Sequence, residues 1–496
     1  MCFRIITQWE FDRQRSVTGR GGGASNREAK RTSADESAPD RVPAASVAAA
    51  SAQAAEEIKD GKDEKVDSPV VLDRKAISQR AFDVANETAL ASTIRNVPAW
   101  LRPTFAHACS PLFGKLLACD LNSAKGKAEL PWILWRILVF PARALRRLHP
   151  IANAPSFAKR LGAQISEQGQ LAATDKFIAK PTAAAAPADE RQLHSADFNR
   201  MRRVKALIKV GESRRAINAL LCGPAVSVDS DVVAQLKALH PARSASPMPA
   251  LPARTSDPHY FEAKEIMAAV RKLGKARAPG NSGWTYELIQ SAMINETCKA
   301  GVCLLVNLIA NGQLSAECAD LLLSTREVPI AKRAGGVRPL GIGEAFYRVA
   351  AKLVCARMAD KIGAACDDLQ FAIGVAGGAQ TAIQLMQASI DDTTEKRCLL
   401  MLDASDAFQF IYVQSILAET FKHDALEPGW RMMHWALSHM APIFITTRAG
   451  VVGQFRRETG VPQGCPLGMA SFCLGFQPIV RAVHAAAATG RAFAYA

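Results

Sequence analysis

The spacing of hydrophobic and polar positions changes twice along the chain and divides it into three parts. From Arg15 to Asp67 large apolar residues are scarce, and the chain runs through Ala, Ser, Gly and mixed charge, as in GGGASNREAKRTSADESAPD. Such a stretch cannot bury enough apolar area to offset its ordering entropy, so it is expected to be disordered, with a fluctuating helix near Ala48–Lys59. From Arg80 to about Leu239 the spacing is helical. Pro131–Pro141 reads as a buried helix, Ala142–His149 as a basic helical face, and Ile165–Glu190 as a loose spacer. In FNRMRRVKALIKVGESRRAINALL, Met201, Val204, Leu207 and Ile208 recur at helical spacing. Then His240–Pro258, rich in Pro, Ser and Ala, reads as a linker.

Beyond Pro258 the pattern alternates. Helical stretches (Glu262–Leu273, Tyr286–Ala310) exchange with short β-like runs at Glu327–Ile330, Cys398–Leu402, Ile443–Thr447 and Gly453–Glu458. That alternation predicts an α+β domain with a small sheet covered by helices. The expected organisation is a disordered segment over 1–79, a helical basic extension with its linker over 80–257, and an α+β domain over 258–496.

Charge sharpens this division. The net charge is +15, yet residues 1–75 hold 13 Lys/Arg against 13 Asp/Glu, so the whole excess lies in residues 76–496. A basic surplus confined to the part expected to fold suits a polyanionic partner as well as it suits a solvated surface. The cations Arg202, Arg203, Lys205, Lys209, Arg214 and Arg215 load the helical region around Val204 and read equally as a solvated face or a nucleic-acid-binding one. The 12 cysteines form no CxxC pair and no zinc-finger spacing, which points to a reducing compartment. The start lacks the apolar core of a signal peptide and no apolar run is long enough to span a bilayer, so a soluble intracellular protein without a membrane partner is expected.

Three segments carry candidate chemistry. In RCLLMLDASDAFQFI (Arg397–Ile411) an apolar run ends on Asp403, followed by a helix start near Asp406. A carboxylate there can hold a hard cation or merely cap the helix. TGVPQGCPLGM (Thr459–Met469) describes a tight loop that lets backbone approach a ligand. In REVPIAKRAGGVRPLGIG, Lys332 and Arg338 flank a Gly335-Gly336 hairpin turn and could close on an anion.

In this order the three segments resemble the fingers and palm of reverse transcriptases, in detail most like those of non-LTR retrotransposons. Two further segments share the resemblance: KARAPGNSGWTYELI (Lys275–Ile289), with Ser282 where many members carry Asp, and DLQFAIGVAGGAQTAIQLM (Asp368–Met386). It covers roughly Phe261 to Ala496, with a weaker echo around Arg202–Pro241. The resemblance implies a right-hand polymerase fold and transfer of dNTPs to a primer 3′-hydroxyl under an RNA template, with Mg²⁺ as cofactor. It assigns Asp403 as the catalytic and metal-binding aspartate, with the Ala404 carbonyl as a further donor. Asp406 and Ala407 would face the triphosphate through their amides, and Phe408 would crowd the ribose 2′-position. Gln463 and Gly464 would line the nucleotide and template pocket, and Lys332 and Arg338 would neutralise the triphosphate.

Tyr495-Ala496 resembles the first half of the family's Tyr-Ala-Asp-Asp tip, without its two aspartates. Two-metal transfer needs carboxylates holding ions about 3.5–4 Å apart. The product as written is therefore expected to be catalytically inactive, with an unpaired strand edge at its end. A non-catalytic RNA- or DNA-binding remnant is the alternative, and a group II intron maturase fits the SGWT and GVPQGCPLG segments less well. Insertion into a genome would place the protein in the nucleus.

Overall fold

A computed structural model of the chain describes residues 3–6, 78–91, 93–146, 154–174, 177, 196–221, 226–332, 335–367, 369–391, 401–404, 406–486 and 494–495. The expected disorder over 15–67 and the helix near 48–59 lie outside these residues. The chain divides into two compact units, one of Met1–Asp67 and Gln380–Ala407, the other of Ser68–Ala379 and Phe408–Ala496.

In the first unit β1 (Phe3–Ile6) pairs antiparallel with a later strand, Met401–Ala404. Nothing in the apolar spacing announces β1; four residues of one short run give no period to read.

The second unit opens on helices α1 (Gln79–Ala91), α2 (Arg102–Ala118), α3 (Ala124–Ala144) and α4 (Ala154–Ala172). Ser123 caps α3 by accepting from the Gly126 amide at 3.0 Å, and Pro131 and Pro141 both lie inside the helix. From Ile133 to Ala144 every residue of α3 is buried. The basic face expected from Ala142 is therefore internal where it begins: Arg143 donates to both Glu87 oxygens at 2.9 and 2.8 Å and lies against the Trp135 and Phe177 rings. The spacer expected from Ile165 is helical as far as Ala172, because Leu161, Ile165 and Ala172 are fully buried at helical spacing. There α4 crosses α2 so closely that a Cβ on Gly169 would lie 2.7 Å from Ala108.

Helices α5 (Ala196–Lys209) and α6 (Ser213–Leu221) form a hairpin that buries Val204, Leu207, Ala216 and Ala219 against one another. Met201 and Ile208, expected in the same stripe, are 43% and 59% exposed. Two short helices facing mainly each other have a seam only two residues wide. Next come α7 (Ser230–Ala238), α8 (Ala263–Lys272), α9 (Tyr286–Ala292), α10 (Glu296–Ala310) and α11 (Ala316–Leu322). The single helix expected over Tyr286–Ala310 is thus two, because Asn295 accepts from the Cys298 amide and starts a new one.

The strands β2 (Thr325–Ala331) and β3 (Val337–Gly343) precede α12 (Ala345–Ala365) and α13 (Gly378–Asp391), and β4 is the Met401–Ala404 strand paired with β1. Then follow α14 (Ala407–Phe410), α15 (Val413–Thr420), α16 (Glu427–Ser438), β5 (Ala441–Thr447), β6 (Gly450–Arg457) and α17 (Gly468–Ala486). The second unit's sheet runs β3-β2-β5-β6, antiparallel except for the parallel β2–β5 pair. Helix α1 packs on β5 and β6, with Phe82 edge-on to Phe444 and the Val451 amide donating to Asn86.

Trp284, from the SGWT segment, is fully buried. Its ring meets Phe105 and Phe113 of α2 and Phe346 of α12, and its indole N–H donates to the Ile137 carbonyl of α3 at 2.8 Å. One side chain thereby ties the helical extension to the region after Pro258. The segment 240–258, expected as a linker, is bound along its length. Gln414 donates to the carbonyls of Ser244 and Ser246, Arg431 to that of Pro252, and the Thr255 amide to Glu427. Proline and serine leave backbone carbonyls free of internal structure, and here side chains of α15 and α16 use them. Among the described residues no helix is long and apolar enough to cross a membrane.

Candidate nucleotide site

The β2–β3 hairpin turns where the Gly335-Gly336 pair predicts. The Lys332 amide donates to the Gly336 carbonyl at 3.0 Å, and Gly335 and Gly336 take φ of 90° and 78°, left-handed values that glycine adopts without strain. Pro329 and Pro339 stand directly opposite one another, a pairing that suits two residues with no N–H to give. Burial alternates along β3: Val337, Pro339 and Gly341 face inward, whereas Arg338 faces solvent. Lys332 is half-buried at the hairpin's far end.

At its base the hairpin meets the GVPQG loop. A Cβ on Gly464 would lie 2.5 Å from the Gly341 carbonyl oxygen, so no other residue fits there without moving backbone. The loop is also bonded to the chain that follows β4. Val461 donates to the Phe408 carbonyl at 2.7 Å and Gly460 to that of Ile411 at 3.0 Å, while the Thr459 hydroxyl bridges the Ile411 carbonyl and the Val413 amide. Gly460 has φ of 72°, and a Cβ there would lie 2.3 Å from the Gln409 carbonyl. The Phe408 ring stacks on Phe472 with centroids 5.0 Å apart, and Phe472 stacks on Phe476. Gln463 is exposed at the loop's tip.

Beneath the loop lies a small cleft lined by His240, Thr325, Glu327, Gly341, Gln409 and Arg457. Gln409 is 3% exposed, and its Oε1 has no hydrogen-bond partner among the described residues. Burial lowers the Arg457 guanidinium below its usual pKa, an effect that the charges of Tyr347, Cys465 and Glu327 oppose. On the loop's other side Tyr347 Oη and Cys465 Sγ are 3.3 Å apart, and burial raises both groups.

Asp403 and Ala404 belong to the first unit. They end β4, opposite Arg4 and Phe3 in register; the Asp403 side chain lies outside the described residues. Asp406 takes φ of 48°, a left-handed turn that Asp tolerates better than most residues, and Ala407 begins α14. In the second unit the structure joins Phe408, Gly464 and the hairpin base in one place, with Gln463 at the edge.

On α5 and α6, Arg202, Arg203, Lys205, Lys209 and Arg214 are exposed. Arg215 is engaged: it donates to the Lys275 and Ala276 carbonyls at 2.8 and 2.9 Å and pairs with Glu212. A second network has no signal in single residues of the sequence. Glu344, at the start of α12, accepts from the Ser282 amide at 2.9 Å and from its hydroxyl, while Asn281 donates to Ser324. Burial lifts the Glu344 carboxyl to about 7, against the pull of the Ser282 bonds. Burial likewise brings Arg326 down to about 10, and its guanidinium donates to the Pro279 carbonyl.

Comparison with known proteins finds similarity to the same family as the sequence resemblance. Residues 330–496 match the family described as reverse transcriptase (RNA-dependent DNA polymerase). Over 215 residues the chain is 26% identical to the Retrotransposable element SLACS 132 kDa protein of Trypanosoma brucei gambiense, a match covering 43% of this chain and 18% of that protein. The chain thus spans under a fifth of that relative's length. With the GVPQG loop bonded to the Phe408 segment and seated on the basic hairpin, residues 330–496 are similar to the reverse transcriptase family, and the chain is similar to a retrotransposable element protein.

Proposed function

We propose that this chain is part of an RNA-directed DNA polymerase of a mobile element, with fingers and palm in residues 258–496 and a helical basic extension over 80–257. One observation carries most of the weight: the loop Thr459–Gly464 is held against both the Phe408 segment and the hairpin base. An incoming dNTP would lie there, with Phe408 against its ribose 2′-position and Gln463 and Gly464 lining its base and template side. The resemblance assigns triphosphate contacts to the amides of Asp406 and Ala407, N–H donors of the kind that phosphate oxygens accept from. Lys332 and Arg338 would neutralise its charge as the hairpin closes.

The donors that the resemblance assigns at Asp403 and Ala404 suit a divalent ion. The carboxylate of Asp403 and the carbonyl of Ala404 are hard oxygen ligands, the kind Mg²⁺ takes. When bound, the ion would supply charge neutralisation at the phosphates and activation of the primer hydroxyl. The partners are an RNA template, a DNA primer and dNTPs, and the workplace is the nucleus, where a mobile element meets its target.

The test is Mg²⁺-dependent incorporation of labelled dNTP on an RNA template with a DNA primer, by the chain continued through an Asp-Asp pair after Tyr495-Ala496 and by the same protein with Asp403→Ala. Incorporation abolished by Asp403→Ala supports the polymerase. The exposed cations of α5 favour a second reading, a nucleic-acid-binding protein without catalysis. That reading expects no incorporation, and RNA binding with a steep salt slope that Asp403→Ala leaves unchanged.

A further inference from the structure

The segment connecting the basic helices to the polymerase region grips both walls of the nucleotide cleft. Arg243 uses its whole guanidinium on one place. Its Nε donates to the Glu458 carbonyl at 2.7 Å, Nη1 to the Ser438 carbonyl at 2.8 Å and Nη2 to the Leu437 carbonyl at 3.3 Å. The Arg243 amide donates to Glu458 Oε2 at 3.2 Å. Glu458 is the residue between β6 and Thr459, where the GVPQG loop begins. Three residues earlier, His240 hydrogen-bonds Glu327 of β2 at 2.9 Å, with the two side chains 8% and 2% exposed, and its ring lies 5.1 Å from that of Phe455 on β6.

The rest of the segment is held separately, by Gln414 at Ser244 and Ser246, by Arg431 at Pro252 and by Glu427 at Thr255. A planar fork bonded to three carbonyls fixes the direction in which the chain leaves β6, which a point charge cannot do. His240 fixes β2 where Thr325 and Glu327 face the same cleft. The loop's own hydrogen bonds from Thr459, Gly460 and Val461 all run to the Phe408–Val413 chain, whereas Arg243 ties the loop's entry to the end of α16.

We propose that Arg243 and His240 are positioning residues for the nucleotide loop, setting the height of Thr459–Gly464 above the hairpin base and coupling it to the segment that carries the basic helices. The nucleotide part of this inference rests on the function proposed above, whereas the anchoring part does not.

The experiment compares the full chain with Arg243→Lys and with Arg431→Lys, which loosens the same segment away from the loop. Hydrogen exchange reads the amides of Gly460 and Val461, and equilibrium binding reads the affinity for dGTP. Arg243→Lys removes charge-assisted bonds at the loop's entry, so these amides should exchange about tenfold faster and dGTP should bind about tenfold more weakly. Amides of α10 in both variants, and those of the loop in Arg431→Lys, should stay as in the parent. Equal loop exchange in parent and Arg243→Lys overturns the inference, as does an equal rise in Arg431→Lys. A parent chain that binds no dGTP while Arg243→Lys frees the loop overturns the nucleotide reading and leaves the anchoring in place.

Discussion

At the scale of residues, the site depends on places where a side chain is not allowed. Gly464 touches the Gly341 carbonyl and Gly460 combines a left-handed φ with contact to Gln409. Gly464→Ala must push backbone apart at the junction of loop and hairpin, at a cost of about 1–3 kcal/mol. Urea unfolding should show that loss, and dNTP affinity should fall by more than the change in stability explains. Glu344 gives a pH signature. Its carboxyl sits at about 7 when folded, above its ordinary 4.5, so the folded state holds a proton that the unfolded chain releases. The stability this contributes is full below the ordinary value and is lost as pH rises through about 7. Denaturation midpoints measured across that window should fall with rising pH in the parent and change less in Glu344→Gln. Asp320 acts in the opposite sense. Burial pushes its carboxyl up, but hydrogen bonds from His439 and Arg456 outweigh burial and hold it below its usual value. Its contribution is present at neutral pH and disappears as acid protonates it, so Asp320→Asn should reduce the parent's sensitivity to acid.

At the scale of elements, the hairpin and the GVPQG loop are legible in the sequence because their signals are local. Gly335-Gly336 between two short β runs specifies a turn, and glycines spaced around a proline specify a loop, whatever packs around them. The seam of α5 and α6 is narrower than its sequence suggests, since periodicity shows which residues share a face but not how much of that face finds a partner. The segment 240–258 hides its role for a related reason. Its Pro, Ser and Ala say that it is neither helix nor strand, yet Arg243, Gln414 and Arg431 bind through backbone carbonyls that no residue code reveals. Trp284 stands out as part of a motif, but its contacts with α2, α3 and α12 come from residues more than a hundred positions away as well as from nearer ones. Trp284→Ala should cost about 3–5 kcal/mol, measured by chemical denaturation, and should loosen the helical extension together with the sheet region in one transition.

At the scale of the whole molecule, the net charge of +15 gains meaning from where exposed cations gather. Arg202, Arg203, Lys205, Lys209 and Arg214 are exposed on one helical hairpin, while Arg215 spends its donors on the Lys275 and Ala276 carbonyls. Replacing Arg202 and Arg203 with Gln should weaken RNA binding across sequences and reduce the magnitude of the salt slope by about one for each phosphate no longer neutralised. Arg215→Gln should instead loosen the hairpin, seen as faster amide exchange in α6. The central claim, a template-directed nucleotide pocket with Phe408 at its gate, is tested most directly by dissociation of the chain from an RNA template paired with a chain-terminated DNA primer. The complementary dNTP should slow dissociation, the matching rNTP should not, and Phe408→Val should let the rNTP do so. Dissociation indifferent to every nucleotide, or equally slowed by dNTP and rNTP in the parent chain, would contradict that claim.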